Sequence, residues 1–371
     1  MPTLDWIGKK AVLNHHNEVP FHLLRCNPDL SVGEANGNML VQGDNLLALK
    51  ALLPYYSGQV KCIYIDPPYN TGNENWVYND NVNSPEMREW LGKIVGGEAE
   101  DLSRHDKWLC MMYPRLILLQ EFLSDDGVIF VSIDDTEVCN LRLLMNEIFN
   151  PGNWICTLIW KRRQTPDSRN LNGVSTDHEY VLCYGKSSKV RFKGQAKDLS
   201  KYSNPDNDPN GPWMSDNLTG LANAIERPNL HYDMVNPITG DKYPPHPSRG
   251  WIFGKERMSE LINQDKILWP KNSSGRPRLK RYISDMKSDT TGFSTILDAP
   301  GNVVGTKELA SILGPKIFAF PKPSELIRIL IDQVTDKSSI VLDSFAGSGT
   351  TGQAVICITR LLSLRLSSQT N

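Results

Sequence analysis

The stretch Val60–Tyr69, VKCIYIDPPY, decides the fold class, because an apolar run of strand length ends abruptly on Asp66. Two consecutive prolines, Pro67 and Pro68, remove two backbone N–H donors and fix two φ angles, so neither a helix nor a central strand continues through them. The chain must therefore turn where a carboxylate and the ring of Tyr69 stand close together. We predict a buried strand followed by a rigid turn that presents Asp66 and Tyr69.

A second strand-to-turn motif lies in Leu342–Gly352, LDSFAGSGTTG. A short strand ends on Asp343, and small residues and glycines then lead into a helix. Glycines let the backbone approach a ligand closely, and a helix N-terminus presents unpaired N–H groups, as in the nucleotide sites of Rossmann-like sheets. Because no lysine follows the glycines, an ATP-type phosphate loop is disfavoured. A tight turn without a ligand is the alternative for this motif by itself.

The rest of the chain alternates strand-like and helix-like patterns around these motifs. The run NMLVQGDNLLALKALLPYY predicts a short strand, a turn and a helix, with Asp44 at the helix N-cap position. HDKWLCMMYPRLILLQEFLSDDG predicts a helix that Gly127 ends, and GVIFVSIDD predicts a strand before the helix TEVCNLRLLMNEIF. NWICTLIWKRR and HEYVLCYGK add two strands, and a helix near 324–334 precedes the strand SSIVLD. This alternation predicts an α/β domain with a mostly parallel sheet.

Composition divides the chain of 371 residues into four parts. We predict an N-terminal segment at 1–36, α/β parts at 37–186 and 311–371, and a separate domain or large insertion at 187–310, which is rich in Pro, Gly, Asn, Trp and Arg. The formal net charge is -2, yet residues 187–300 hold 17 Lys and Arg against 13 Asp and Glu. The middle of the chain is therefore relatively basic and the remainder acidic.

Composition also argues against several classes of protein. The seven cysteines form no CxxC pair and several lie in apolar runs, as is typical of reduced core cysteines. No signal peptide is visible in MPTLDWIGKK, and the longest apolar run is interrupted by Pro114, Arg115, Gln120 and Glu121. We therefore expect a cytoplasmic protein with no membrane partner and no bound metal.

The DPPY turn has a chemical interpretation of its own. A rigidly held carboxylate and a backbone carbonyl can accept the two hydrogens of a planar amine, which polarises the nitrogen. A base within a duplex is inaccessible in its stack, so an enzyme that acts on it must flip it out, and an aromatic face stabilises the flipped base. We therefore interpret Asp66 and Tyr69 as a clamp for the amino group of a flipped base.

The two motifs, together with QGDNLLAL, GVIFVSIDD, HEYVLCYGK and FPKPSELI, resemble the amino-methylating DNA methyltransferases. DPPY precedes FAGSG, which is the permuted order of the beta class. The resemblance covers roughly residues 40–355 and is greatest to the methylation (Mod) subunits of Type III restriction-modification systems, which are adenine-specific. It implies a Rossmann-like α/β fold that uses S-adenosylmethionine, with a target-recognition domain inserted at 187–310.

The resemblance also assigns roles to residues. Asp66 and the Pro67 carbonyl would accept from the adenine amino group and Tyr69 would stack on the base, so the catalytic set is Asp66, Pro67, Pro68 and Tyr69. Cytosine-amine methylating relatives usually carry serine at the first of these positions, so Asp66 favours adenine. The implied cofactor site is Lys322, Pro323, Asp343, Phe345, Gly347, Gly349 and Thr350. Asp44 is a weaker cofactor candidate, which helix capping explains equally well.

A basic run within 187–310 is the candidate DNA-binding site. GRPRLKR places Arg276, Arg278, Lys280 and Arg281 close together, and strand alternation would direct Arg276, Arg278 and Lys280 to one face, suited to phosphates. The alternative is that these basic side chains lie on a solvated surface that does not contact DNA. The resemblance implies double-stranded DNA as partner, a homodimer, and a nuclease-helicase (Res) subunit of a Type III system.

The chain departs from the family after the glycines. A nucleoside-binding Rossmann fold places an acidic residue about 20 positions further on, at the end of the next strand, to hold the ribose hydroxyls. No Asp or Glu follows Asp343, and the tail ICITRLLSLRLSSQTN lacks the expected apolar strand. We therefore expect a truncated or frameshifted product with an incomplete cofactor part, an exposed sheet edge and weakened ribose binding.

Three interpretations follow from these features. The first is an active adenine methyltransferase of a restriction-modification system, and the second is a catalytically impaired DNA-binding remnant of one. The third is an RNA or protein-glutamine amino methyltransferase. Members of that third class usually carry Asn at the first motif position and a compact chain, so Asp66 and the long middle segment argue against it.

Overall fold

The computed structural model describes residues 3–33, 37–71, 89, 92–94, 103–168, 172–246, 248–270, 272 and 275–367, with side chains as far as 358. The chain divides into two compact units, one formed by Met1–Lys193 with Gly292–Asn371 and the other by Gly194–Thr291. The predicted insertion at 187–310 is longer than the second unit at both ends. Residues beyond Thr291 return to the first unit, because a strand there pairs with its sheet.

The helices and strands of the first unit follow each other in α/β order. In chain order they are α1 (Lys9–Val12), α2 (His15–Glu18), α3 (Asn45–Tyr56), β1 (Val60–Ile65), α4 (Arg104–Phe122), β2 (Leu123–Ile133), α5 (Val138–Phe149), β3 (Trp154–Lys161), β4 (His178–Gly185), β12 (Ile296–Leu297), α7 (Asn302–Leu313), α8 (Ser324–Asp332), β13 (Ile340–Leu342) and α9 (Thr350–Ser367). The second unit supplies β5 (Gln195–Ala196), β6 (Trp213–Asn217), β7 (Met234–Val235), β8 (Lys242–Tyr243), α6 (Lys255–Asn263), β9 (Ile267–Leu268), β10 (Arg278–Tyr282) and β11 (Thr290–Thr291).

A six-stranded sheet organises the first unit, in the order β12-β3-β4-β2-β1-β13. Strand β1 runs parallel to both β13 and β2, and Ile63 stands beside Leu342 on one side and Ile129 on the other. Strand β4 runs antiparallel to both β2 and β3. The carboxyl ends of β1, β2, β3 and β13 and the start of β4 therefore share one edge of the sheet.

The alternation within β1 explains why the sheet is covered on both faces. Ile63 and Ile65 belong to a core cluster that includes most of α4, whereas Cys62 and Tyr64 belong to a second cluster with α8 on the opposite face. A strand that is buried on both sides reads as a continuous apolar run, as VKCIYI does. Full burial of one such aliphatic side chain contributes roughly 1.5–3 kcal/mol.

The structure corrects two of the predicted element boundaries. Residues 38–42, predicted to form a short strand before Asp44, have no regular structure. Helix α4 begins with a capping box between Ser103 and Asp106 but ends at Phe122, without the predicted glycine. Gly127 lies instead within β2, where an added Cβ would stand 2.8 Å from the carbonyl oxygen of Val60, so close backbone contact explains this glycine.

The segment between Asn70 and Arg104 falls for the most part outside the described residues. At its start, Asn70 is buried and has a left-handed φ of 58°. Among the helices of the described residues, none is long and apolar enough to cross a membrane.

The second unit has a small core of its own. Its three-stranded sheet has the order β6-β10-β9 with antiparallel pairs, and α6 contributes Met258 and Leu261 to an apolar cluster around the fully buried Trp251. Because its ring is fully buried, Trp251 packs the core of this unit and is not accessible for stacking on a ligand.

Candidate active site

Parallel pairing brings the two predicted motifs to the same sheet edge. Asp66 follows β1 directly and Asp343 follows β13 directly, and these two strands are neighbours. The edge opens into a cleft of about 360 Å³. Its lining includes Asp66, Pro67, Tyr69, Asp134, Arg162, Arg163, Glu179, Phe318, Lys322, Asp343, Phe345, Gly347, Ser348, Thr350 and Thr351.

A buried ion pair occupies the centre of this cleft. The Nζ atom of Lys322 lies 3.0 Å from each carboxylate oxygen of Asp66, and 3.4 Å from Oε2 of Glu179. The Lys322 side chain is 9% exposed and that of Glu179 6%, so both charges are largely removed from water. Burial opposes the charge on Lys322, but the two carboxylates outweigh it and raise the pKa of Lys322.

Burial also raises the pKa of the Asp66 carboxyl, whereas the facing ammonium of Lys322 opposes that shift. The Asp66 side chain keeps 28% exposure and both of its oxygens accept from Lys322, so the carboxylate is held in an ion pair at neutral pH. The structure therefore places Lys322, predicted at the border of the cofactor site, directly on the predicted catalytic carboxylate.

Tyr69 is fixed from two sides. Its hydroxyl donates to Oε2 of Glu179 at 3.1 Å, and the ammonium of Lys322 lies 4.7 Å from its ring centroid. Burial and the carboxylates of Asp66 and Glu179 raise the pKa of Tyr69 well above its ordinary value, so the phenol stays protonated. The ring presents its face to a cation in a manner typical of cation–π contacts.

The turn after β1 is anchored beneath the cleft. Trp108 donates from Nε1 to the carbonyl of Pro68 at 2.6 Å, and Asn70 donates from Nδ2 to the buried carboxylate of Glu137. Glu137 also accepts from Asn140 and pairs with His105 at 2.6 Å. These contacts fix the DPPY turn to α4 and α5, which makes the clamp rigid.

The second motif forms a loop whose geometry requires its glycines. Gly347 and Gly349 have φ values of 50° and 79°, in the left-handed region that side chains disfavour. Asp343 accepts from the backbone N–H of Phe345 at 2.8 Å and from the hydroxyl of Thr351 at 2.5 Å. Burial raises the pKa of Asp343 to about 6, against these two hydrogen bonds. The loop thus faces the cleft and is held by its own aspartate.

Asp44 has a structural role in the described contacts. Its carboxylate accepts from the N–H groups of Leu46 and Leu47, which caps α3, and pairs with the buried Arg115 at 3.3 Å. It is not among the residues that line the cleft. Its neighbour Asn45 donates to the carbonyl of Ser344 at 3.0 Å, so α3 supports the second motif through Asn45.

Pro323 is buried against α7. A Cβ added at Gly305 of α7 would stand 2.4 Å from the carbonyl oxygen of Pro321 and 2.8 Å from the backbone of Lys322 and Pro323. The N–H of Ser324, at the start of α8, is held by Glu308 at 3.0 Å. Close packing on Gly305 therefore positions the segment that carries Lys322.

The predicted DNA-binding run divides into two kinds of residue. Arg276 and Arg278 are exposed, and Arg281 pairs with Asp216 at 2.7 Å on the surface of the second unit. Lys280 is buried and pairs with Asp208 at 2.7 Å and with Asp206 at 2.8 Å. The expectation that Lys280 faces phosphates is therefore wrong, because its charge is balanced within the unit.

Sequence reasoning assigned no role to Glu179, Arg162 or Phe318 in this site. Glu179 is the second residue of β4, and β4 starts at the carboxyl edge because it runs antiparallel to its neighbours. A buried acidic residue in the apolar run HEYVLCYG is the signal that could have identified it. As for metals, the described residues contain no group of three or more His, Cys, Asp or Glu side chains that could hold an ion.

Comparisons with known proteins find relatives that align with most of this chain. The Type III restriction-modification enzyme StyLTI Mod subunit of Salmonella typhimurium is 33% identical over 96% of this chain and 56% of that protein. The EcoP15I Mod subunit of Escherichia coli is 31% identical over 95% of this chain and 61% of that protein. The Type II methyltransferase M.KpnI of Klebsiella pneumoniae is 30% identical over 90% of this chain and 80% of that protein. The chain spans 56% to 61% of the length of the two Mod subunits.

The family comparison covers the sheet and both motifs. Residues 60–361 match the DNA methylase family, a range that begins with β1 and extends into α9. Asp66 and its turn, Glu179, Lys322 and the loop after Asp343 all fall within that range. The chain belongs to the DNA methylase family.

Proposed function

We propose that the chain methylates the exocyclic amino group of adenine in double-stranded DNA, with S-adenosylmethionine as the methyl donor. The observation that carries the proposal is the meeting of Asp66 and Tyr69 with Gly347 and Thr350 of the glycine-rich loop at one cleft. A carboxylate and an aromatic face suit a flipped base, and a glycine-rich loop at the end of a parallel strand suits a nucleoside.

The residues of the cleft have distinct tasks in this reaction. Asp66, with the Pro67 carbonyl, accepts hydrogen bonds from the amino group and so directs the nitrogen lone pair away from the carboxylate. Tyr69 stacks on the base, and Glu179 fixes the hydroxyl of that tyrosine. As the nitrogen gains a methyl group it loses a proton, and the raised pKa of the buried Asp66 carboxyl suits it to receive that proton.

The residues present fit the methyl donor. Ser344, whose neighbours Asp343 and Phe345 line the cleft, has a buried Oγ without a hydrogen-bond partner among the described residues. Asp343, Phe345, Gly347 and Thr350 line the cleft and, together with Gly349 of the same loop, would hold the nucleoside and methionine parts. When bound, S-adenosylmethionine supplies a methyl group on a sulfonium, which an amine can displace directly. The chain's contribution is then positioning, since alignment of two reactants supplies much of the acceleration.

Aspartate at the first motif position supports adenine as the target base. The Mod relatives support a place in a Type III restriction-modification system. A homodimer and a nuclease-helicase subunit as partners are part of the proposal and follow from the resemblance to that family. We assign target recognition to the unit Gly194–Thr291, in which the exposed Arg276 and Arg278 would contact phosphates.

The test is methyl transfer by the purified full chain to unmethylated double-stranded DNA with labelled S-adenosylmethionine. Mass spectrometry of the digested nucleosides should show N6-methyladenine, and single-molecule sequencing of the product should reveal the methylated sequence. Asp66→Ala should abolish transfer while DNA binding persists. N4-methylcytosine as the product would overturn the base assignment. Binding of DNA without methyl transfer would identify the chain as a catalytically impaired remnant.

A further inference from the structure

We infer that Glu179 is a positioning residue that takes over the ammonium of Lys322 when the target amino group binds Asp66. This inference rests on the proposed function and extends it to a residue outside the DPPY and glycine motifs. It starts from one conflict in the geometry: both oxygens of Asp66 accept from Lys322, at 3.0 Å each, so the predicted acceptor of the amino group already has a donor.

Lys322 occupies the place that an amino group would take. Its Nζ lies within hydrogen-bonding distance of the Asp66 carboxylate and 4.7 Å from the centroid of the Tyr69 ring. A base that stacks on Tyr69 and donates to Asp66 needs both of those positions. The ammonium must therefore move before the clamp can close on a base.

A buried ammonium cannot simply be left without a partner, because an unpaired charge in a protein interior is strongly destabilising. Glu179 offers a second carboxylate 3.4 Å from Nζ of Lys322. A small displacement of the ammonium exchanges Asp66 for Glu179 without exposing or unpairing the charge. Arg162, which contacts Oε1 of Glu179 at 3.2 Å, stays in place on the other oxygen.

The charges of this network balance before and after the exchange. Asp66 and Glu179 supply two carboxylates, and Lys322 and Arg162 supply two cations. Replacing Glu179 with glutamine keeps an acceptor for the Tyr69 hydroxyl but removes one negative charge. The ammonium of Lys322 is then bound more firmly to Asp66, and the amino group of the base has to compete for that carboxylate.

The test uses a duplex that keeps adenine at the target position found by sequencing and carries 2-aminopurine beside it, so that fluorescence reports the unstacking that accompanies flipping of the adenine. Glu179→Gln should lower single-turnover methylation at least about tenfold, because docking of the base must break charged hydrogen bonds that are not replaced. The fluorescence change should fall in parallel. Binding of S-adenosylmethionine, measured by calorimetry, should stay within about twofold of the wild-type value, a tolerance well below a tenfold effect.

Two further variants separate the charge effect from other roles. Tyr69→Phe removes the hydroxyl that Glu179 holds but keeps its charge, so it should reduce docking less than Glu179→Gln does. Lys322→Met in the Glu179→Gln background should restore the fluorescence change, because the competing ammonium is gone.

Three results of the docking assay would overturn the inference. These are equal docking by Glu179→Gln and the wild-type chain, an equal loss in Tyr69→Phe, and no recovery of fluorescence in the double variant. Loss of S-adenosylmethionine binding in Glu179→Gln would likewise mean that the residue is structural. If the wild-type chain itself transfers no methyl group, the proposed function fails and this inference fails with it.

Discussion

Substitution of Asp343 by asparagine should stabilise the protein at neutral pH. Burial raises the pKa of this carboxyl from 3.8 to about 6. A rise of roughly two pKa units means that ionisation of Asp343 destabilises the folded state by about 3 kcal/mol relative to the unfolded chain. Asparagine avoids this cost, since its amide can accept from the N–H of Phe345 and donate to the hydroxyl of Thr351. We expect a gain of about 1–3 kcal/mol in the free energy of unfolding at pH 7.5. The gain falls below the full value of about 3 kcal/mol to the extent that asparagine is an imperfect copy of the protonated acid.

The pH dependence has a definite sign. Below pH 3.8 the carboxyl is protonated in both the folded and the unfolded chain, so it contributes no difference. Between 3.8 and about 6 only the unfolded chain releases the proton, so the wild-type stability falls as pH rises. Above about 6 the loss is complete and constant. The advantage of Asp343→Asn should therefore grow across that window and then level off.

Urea unfolding of both chains at several pH values between 4 and 8 measures this difference. Asp336 provides a matched control, because hydrogen bonds from Ser338 and Ser339 lower its pKa and its ionised form is favoured by folding. Asp336→Asn should be less stable than the wild-type chain at pH 7.5, and the gap should close toward low pH. A gain for Asp343→Asn that does not vary with pH, or a net loss at pH 7.5, would refute the argument.

Four other substitutions test the packing and charge assignments. Lys280→Met should destabilise the chain, because Asp206 and Asp208 lose the cation that pairs with both of them. Arg278→Ala should leave unfolding unchanged and reduce the salt dependence of DNA binding by about one phosphate contact. Equal effects of the two variants on urea unfolding would contradict this. Gly305→Ala should lower methylation, because the added Cβ displaces the backbone of the segment that carries Lys322. Gly352→Ala is the control, since a Cβ there meets nothing within 4 Å and should not destabilise the fold. Circular dichroism measures the effect of each variant on the fold, and the methylation assay measures its effect on activity.

The strand ends were predictable from sequence, and the reason is local. VKCIYI and SSIVLD are apolar runs that stop on Asp66 and Asp343, so their position at the end of a strand follows from the residues themselves. Parallel pairing of the two strands is a tertiary fact, but the α/β alternation made it the expected one. The glycines of the second motif were equally readable, because left-handed backbone in a tight loop selects glycine.

The ion pairs were not predictable, because each depends on residues far apart in sequence. Lys322 and Asp66 are 256 residues apart, and Lys280 and Asp208 are 72 apart. Strand alternation places Arg278 and Lys280 on one face of β10, but it does not say how each long side chain is used. The ammonium of Lys280 forms ion pairs with two aspartates of its own unit, while Arg278 stays exposed. Glu179 was missed because it starts an antiparallel strand, whereas the rule that points to ligand sites concerns the ends of parallel ones.

The sheet also explains why the order of the two motifs along the chain does not matter to the site. Strand β1 comes early and β13 comes last among the strands, yet they are direct neighbours and run in the same direction. What the proposed reaction needs is that Asp66 and the loop after Asp343 leave the sheet at one edge, and parallel pairing provides this whichever strand comes first in the chain. The antiparallel β4 then adds Glu179 at the same edge from the opposite chain direction. The site is therefore defined by strand direction and adjacency, and it brings the carboxylate, the ammonium and the glycine loop together from three separate segments of the chain.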